Sequence, residues 1–487
     1  MGMELRLLLI LLAPLVVVVA ALLLRRTPLV TACNLAASAV VLVLALPLPF
    51  LSTPTREFAR GYLFIDPLGA WVLMCVAVVY FLASIYSVGY LRHEPHGHSR
   101  IASYYALFAG FALTMLFAPM VNSVGLYWIA VELTTLVSTF LIGFERNAES
   151  MEAAWKYIIV VSAGISLALL ATVLLYWGGS FVLGPSYDLT WSTLATTAPR
   201  MPPLLLQTGF LLALIGYGTK AGLAPMHTWL PDAHSEGPAP VSAMLSGALL
   251  NTAMLGIVRF LAATDAAGRG ALPHLVLVVL GALSLLVGAL FIIRQRGIKR
   301  LMAYSSVEHL GVIGLGFGFG GPLGVAGALY HMLNHSLAKS LMFFGAGNAM
   351  HRYGSKAIDD IHGAVAGMGP SAWLWLGGAV AITGAPPFGL FLSEFTILRA
   401  GWDGPYAWAA VLMLILLIVI FVGFLNHFRA MYFARPLPAD VEGHQPDAWS
   451  VAPMAIALAA LLVLGLWWPA ALQTLFHGIA VQLGAAS

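Results

Sequence analysis

The chain has 487 residues, of which 60% are hydrophobic and 9% charged, with a formal net charge of +3. Soluble domains carry about 25% charged residues, so a water-exposed globular surface is excluded, and the scattered Lys and Arg give nucleic-acid binding no support. The composition is that of one all-α integral membrane domain, because spans of about 20 apolar residues each absorb the full length.

The first apolar run, to Leu24, starts beside mixed Glu4 and Arg6 and is followed by Arg25-Arg26, which reads as a retained span rather than a cleaved signal. Further spans are placed near 27–51, 66–91, 102–120, 122–144, 154–177, 204–233, 239–263, 272–293, 299–319, 322–349, 371–400, 405–433 and 450–468. That makes about fourteen transmembrane helices, with a last apolar segment to about 484. Loops after odd-numbered spans hold fourteen basic residues, from Arg25 to Arg435, against five (Arg56, Arg60, Arg200, Arg269 and Arg399) after even-numbered ones. By the positive-inside rule the odd loops face the cytoplasm and both termini the opposite side.

Cys33 and Cys75 lie in spans without metal or disulfide spacing and read as packing residues. His93, His96 and His98 share a short loop with Pro95 and Gly97 and read as solvated rather than metal-binding. Arg259 reads as a helix-end anchor. No cofactor or metal site is expected: dinucleotide fingerprint, phosphate loop and cluster-binding cysteines are all missing from the sequence.

Two spans are interrupted. The seventh carries Gly222, Pro225 and Pro231, and the twelfth carries Gly384 followed by Pro386 and Pro387. Proline removes a backbone donor and frees carbonyls within the membrane. Paired interruptions point to a transport site between two inverted repeats of five helices, each with a broken helix. The chain divides accordingly into N-terminal helices (1–101), a first repeat (102–263), a second repeat (272–433) and a C-terminal helix and tail (450–487).

Each broken span holds an ionisable group, Lys220 in the first and Glu394 in the second. A charged side chain at a helix centre costs roughly 2.5–3.5 kcal/mol on insertion scales, so such a residue is first a functional candidate. Between them His331, His335 and Lys339 stand at i, i+4 and i+8 on one helix face. Glu132 and Glu308 lie upstream, and His227 follows the first break; His227 and Glu308 have an alternative role as caps for free carbonyls. Burial favours a neutral amine and a nearby carboxylate the charged one, so a Glu132–Lys220 pair could switch between holding and releasing a proton.

The stretch Thr219 to Ser246, with Lys220, Pro225, His227, Trp229-Leu230-Pro231-Asp232-Ala233-His234 and Pro238-Ala239-Pro240, strongly resembles the antiporter-like subunits of complex I, energy-converting hydrogenases and multi-subunit cation/proton antiporters. Trp128 to Glu132, Ala303 to Ser306, His331 to Lys339 and Gly384 to Glu394 extend the likeness over most of the chain. Ser305-Ser306-Val307-Glu308-His309 and Ser235-Glu236-Gly237-Pro238 look most like the hydrogenase-4 component F type. Where many complex I subunits have a lysine on the eighth span, this chain has Asn251, which cannot titrate.

The resemblance implies a proton-translocating subunit in a prokaryotic-type cell membrane, using Glu132, Lys220, His227, Glu308, His331, His335, Lys339 and Glu394, supported by Asn251, Ser305 and Ser306. Its path would end at Glu394. Moving one charge against 100 mV costs about 2.3 kcal/mol, and nothing in the chain supplies it. Partners carrying redox centres are therefore expected, along with the lipid bilayer and protons, or Na+ in a cation/proton antiporter module. A scaffold that only docks partners is the remaining reading, which the retained titratable residues argue against.

Overall fold

A computed structural model describes residues 2–24, 27–52, 55–92, 98–433 and 443–485. Arg25, Arg26, His93, His96 and Arg435 fall outside them, as does the side chain of His98.

The apolar runs form helices because only intra-segment backbone bonding satisfies N–H and C=O groups in hydrocarbon. In chain order these are α1 (Met3–Leu24), α2 (Thr27–Ala45), α3 (Pro67–Arg92), α4 (His98–Phe117), α5 (Val124–Ile142), α6 (Ala148–Leu183) and α7 (Pro203–Ala221). After them come α8 (Trp229–Glu236), α9 (Ala239–Ala266), α10 (Ala271–Ile293), α11 (Ile298–Phe319) and α12 (Gly321–Tyr353). The series closes with α13 (Pro370–Ile382), α14 (Gly389–Trp402), α15 (Ala407–Phe433), α16 (Ala448–Leu466) and α17 (Ala470–Gln482). A small antiparallel hairpin pairs β1 (Arg56–Phe58) with β2 (Leu63–Ile65).

Among the described residues, eleven helical segments are long and apolar enough to cross a membrane. They do not include α11 and α12, although both are long. Those two helices carry Lys299, Glu308 and His309, and His331, His335 and Lys339, respectively, all buried. Residues 301–318 of α11, 327–349 of α12 and 239–261 of α9 are buried throughout. A helix buried on every side can carry polar groups that a lipid-facing helix cannot. The periphery is different: Leu22 and Leu23 of α1, Trp155 and Phe181 of α6, and Ile418 and Val422 of α15 are exposed, as lipid-facing residues are.

The two expected interruptions are present. α7 ends at Ala221, capped by Gly222 at φ +79°, and α8 starts at Trp229. The freed Ala224 N–H donates to Ser284 Oγ at 2.9 Å. Pro231 departs from expectation: it lies in the first turn of α8, where a missing donor costs no intrahelical bond, and so it does not break the helix. The second interruption separates α13 from α14 across Thr383–Phe388 and contains Pro386 and Pro387. α8 packs against α6 and α11, and α14 against α11, α12 and α15.

The loops gather at two ends of the bundle. At one end Lys356 meets Glu236 at 2.5 Å, Arg300 and Lys156 both meet Asp232, and Arg100 meets Glu145. At the other, Asp66 bonds Arg259 and accepts from Gln482 at the end of α17 at 2.8 Å.

Candidate functional site

Lys220 is fully buried on the last turn of α7. Its Nζ donates to Thr135 Oγ1 at 2.8 Å and to Tyr157 Oη at 2.7 Å. Glu132 is not its direct partner: among the described residues no ion pair joins them. Glu132 Oε1 accepts from Ser162 Oγ at 2.6 Å, and Oε2 accepts from Thr135 Oγ1 at 3.4 Å. Thr135 therefore links amine to carboxylate, accepting from one and donating to the other. Glu132 and Thr135 stand one turn apart on α5, which lets the hydroxyl bridge the two groups. Tyr157 is held in turn by Ser138 Oγ at 2.7 Å.

The second cluster lies between α11, α12 and α14. His331, His335 and Lys339 are all fully buried on α12, as their spacing requires. Lys339 Nζ donates to Met302 O at 3.1 Å. His331 Nδ1 is 2.9 Å from Ser393 Oγ, while His331 Nε2 is 3.1 Å from His309 Nδ1. Ser393 Oγ donates its own proton to Leu390 O at 2.8 Å. In the neutral pair His331 must therefore donate from Nδ1 to Ser393, which leaves Nε2 to accept from His309 Nδ1–H. His309 Nε2 and both nitrogens of His335 are buried without partners. The His309 and His335 ring centres are 5.4 Å apart.

Glu394 is buried on α14, next to this cluster rather than beyond it: one carboxylate oxygen lies within 4.8 Å of a nitrogen of both His309 and His331. Gly384, at φ +69°, makes room for it, since a Cβ there would sit 1.9 Å from Glu394 Oε2. Glu308 is buried, with Oε1 3.9 Å from His309 Nδ1 and Oε2 unpartnered. Ser305 lies beside the Glu308 carboxyl, and Ser306 Oγ is 2.8 Å from Ser246 Oγ.

His227 stands apart, its ring 6.3 Å from that of Tyr304 and its Nδ1 unpartnered. Asn251 is a staple between helices: its Nδ2 donates to Ser336 Oγ at 2.9 Å, Met332 O at 3.3 Å and Gly247 O at 3.2 Å. Gly247 lies in a π-type turn of α9 (Leu245–Leu249), where a carbonyl is free to accept from another helix.

Sequence reasoning missed several residues. Thr135 and Tyr157 hold Lys220, Ser138 holds Tyr157, and Ser162 holds Glu132. His234, quoted only as part of a motif, is fully buried with both nitrogens unpartnered and within electrostatic reach of His335 and Lys339. Arg259 is not a helix-end anchor. It is buried in an ion pair with Asp66 at 2.8 Å, its guanidinium near the rings of Phe64 (4.5 Å) and Trp191 (5.1 Å). For two of the four hydroxyls, Thr135 and Ser138, a shared face could have been sought, since they follow Glu132 at three-residue steps. Arg259 and Asp66 are 193 residues apart and leave no local signal.

Comparison with known proteins agrees with this architecture. The family described as NADH:quinone oxidoreductase/Mrp antiporter, TM, matches residues 121–422, and that described as NADH-ubiquinone oxidoreductase (complex I), chain 5 N-terminus, matches residues 57–101. The chain is 38% identical over 347 residues to a hydrogenase-4 component F homolog of Methylacidiphilum infernorum, covering 70% of this chain and 73% of that protein. It is 31% identical over 454 residues to NADH-quinone oxidoreductase subunit N of Xanthomonas euvesicatoria, covering 90% of each. Its fold matches a chain of an archaeal membrane-bound sulfane sulfur reductase at TM-score 0.87 and 22% identity, covering 99% of this chain and 98% of that one. A chain of the Mrp complex from a Dietzia species matches with the same score and coverage at 20% identity. The chain thus belongs to the NADH:quinone oxidoreductase/Mrp antiporter transmembrane family, as a multi-pass, antiporter-like membrane subunit.

Proposed function

We propose that the chain translocates protons as one subunit of a redox-driven membrane complex of the hydrogenase-4 or NADH:quinone oxidoreductase kind. The observation that carries this reading is a row of buried ionisable side chains placed on and between two broken helices. Burying so many such groups costs stability, and pairing them gains little over apolar packing. A transport role accounts for keeping them.

In this reading Lys220 holds a proton against Thr135 and Tyr157, with the Glu132 carboxylate linked through Thr135. A small rotation of Thr135 changes the field at the amine, so the pair switches without either charged group travelling far. The released proton passes by water to His234 and His335, then through the His309–His331 pair to Glu394. The hydrogen-bonded imidazole pair suits this step, because a proton can arrive at the bare His309 Nε2 while another leaves by way of His331. Asn251 takes no proton; it braces α9 against α12. His227 and Glu308 flank the path, and Lys339 sets the field on the histidines.

The arrangement into fourteen spans and two inverted repeats belongs to the same proposal. The matching breaks α7/α8 and α13/α14, each with a glycine at positive φ (Gly222, Gly384), support it. The basic residues collected at the end that holds Lys356, Arg300 and Arg100 support a cytoplasmic assignment for that end and the opposite one for both termini. Energy for pumping has to come from partner subunits that carry redox centres, as the complexes of the named relatives suggest.

The test is the purified complex in sealed vesicles: addition of its electron donor should acidify or alkalinise the lumen in a manner abolished by an uncoupler. The second reading is a cation/proton antiporter module, favoured by the likeness to the Mrp complex. It predicts proton movement driven by a Na+ gradient, no electron donor requirement, and no iron–sulfur or nickel–iron subunits in the purified complex.

A further inference from the structure

The His309, His331 and Glu394 side chains come from three different helices, yet the structure converges them on one small buried space. One donor atom from each lies within 4.8 Å of the others. His309 Nδ1 and His331 Nε2 are already 3.1 Å apart, a separation that subtends roughly 95° at a cation about 2.1 Å from both, the usual zinc–imidazole distance. Glu394 Oε1 is buried and has no hydrogen-bond partner. The carboxylate now packs directly over Gly384, where a Cβ would lie 1.9 Å from Oε2, and it has to swing from there toward the two rings to complete the set.

We propose that His309, His331 and Glu394 form a binding site for a first-row transition-metal dication such as Zn2+, and that its occupation blocks proton passage. Two imidazole nitrogens and one carboxylate select Zn2+, Co2+ or Ni2+ over Na+, Mg2+ and Ca2+, which prefer oxygen. Ser393 supplies the outer support: by accepting from His331 Nδ1–H it fixes the tautomer that points a lone pair from Nε2 into the site. His309 needs only to move its proton from Nδ1 to its unpartnered Nε2, so binding requires no net proton loss from the rings. Glu308 Oε1 lies behind the site, 3.9 Å from His309 Nδ1. A metal bound here occupies the two nitrogens between which a proton must pass.

Occupancy stands on the donor geometry, whereas the block rests on the transport reading, and the experiment reads the two separately. The purified complex is incubated with Zn2+, desalted, and its zinc content and zinc-edge X-ray absorption are measured for the native chain and for His309→Gln, Glu394→Gln and His335→Gln. The expected result is loss of one equivalent of zinc with two nitrogen ligands in the first two variants, and native zinc in His335→Gln, whose ring is close by but offers no ligand. Equal zinc in every variant means an adventitious ion only and overturns the site. Loss in all three variants also overturns it, because the effect then follows disturbance of the packed rings. In vesicles, filling the site should reduce native proton pumping at least tenfold; bound zinc with undiminished pumping overturns the block alone. A native complex that moves no protons overturns the transport reading instead, while the zinc count still decides the site.

Discussion

Thr135→Val removes the hydroxyl that touches both Lys220 and Glu132 while keeping a branched side chain in a fully buried position. It breaks a 2.8 Å bond from the lysine and a 3.4 Å bond to the carboxylate. A hydrogen bond to a charged group contributes about 1.5–3 kcal/mol, which is roughly 10- to 150-fold in the rate of a step that depends on it. Tyr157 remains as the second acceptor, so Lys220 stays in place and the fold should persist. The assay is lumenal pH change per electron transferred in vesicles holding the complex, for Thr135→Val, Glu132→Gln and the double variant. A fall of at least tenfold is expected for Thr135→Val, with the double variant little worse than either single one, because both act through one link. Pumping within twofold of native, or fully multiplicative losses, refutes the linkage.

Gly384→Ala places a Cβ 1.9 Å from Glu394 Oε2 and forces a non-glycine residue to φ +69°; strain of about 1–3 kcal/mol and displacement of the carboxylate should cut pumping sharply while the complex still assembles, as gel filtration would check. Asp66→Asn leaves the Arg259 charge buried without its carboxylate, which typically costs 3–5 kcal/mol. Its melting temperature in detergent should drop clearly, and Asp66→Asn combined with Arg259→Met should recover much of the loss. Asn251→Ala removes a brace rather than a proton carrier, so it should lower thermal stability yet retain more than half of native pumping per assembled complex. A complete loss of pumping there would place Asn251 on the proton path.

The breaks in the seventh and twelfth spans were legible because glycine and proline act on the backbone wherever they stand, independent of tertiary context. The α12 face was legible for a similar reason: helical spacing alone forces His331, His335 and Lys339 together. Pro231 misled because its effect depends on position within a helix, and the start of α8 was not evident from composition. The Thr135, Ser138 and Tyr157 environment stayed hidden because a hydroxyl in an apolar helix usually bonds its own preceding turn, as Ser138 also does to Thr134 O. Likewise the metal-competent set needed three helices at once. His309 on α11, His331 on α12 and Glu394 on α14 carry no common spacing, and only the packing around the second break brings their donor atoms together.

The central claim is that Lys220 loads and releases the transported proton. Lys220→Met keeps length and apolar bulk while removing the charge and its bonds to Thr135 and Tyr157. In reconstituted vesicles supplied with the complex's electron donor, the variant should assemble and transfer electrons but show a clear loss of proton translocation per electron. Native translocation per electron in Lys220→Met would contradict the account.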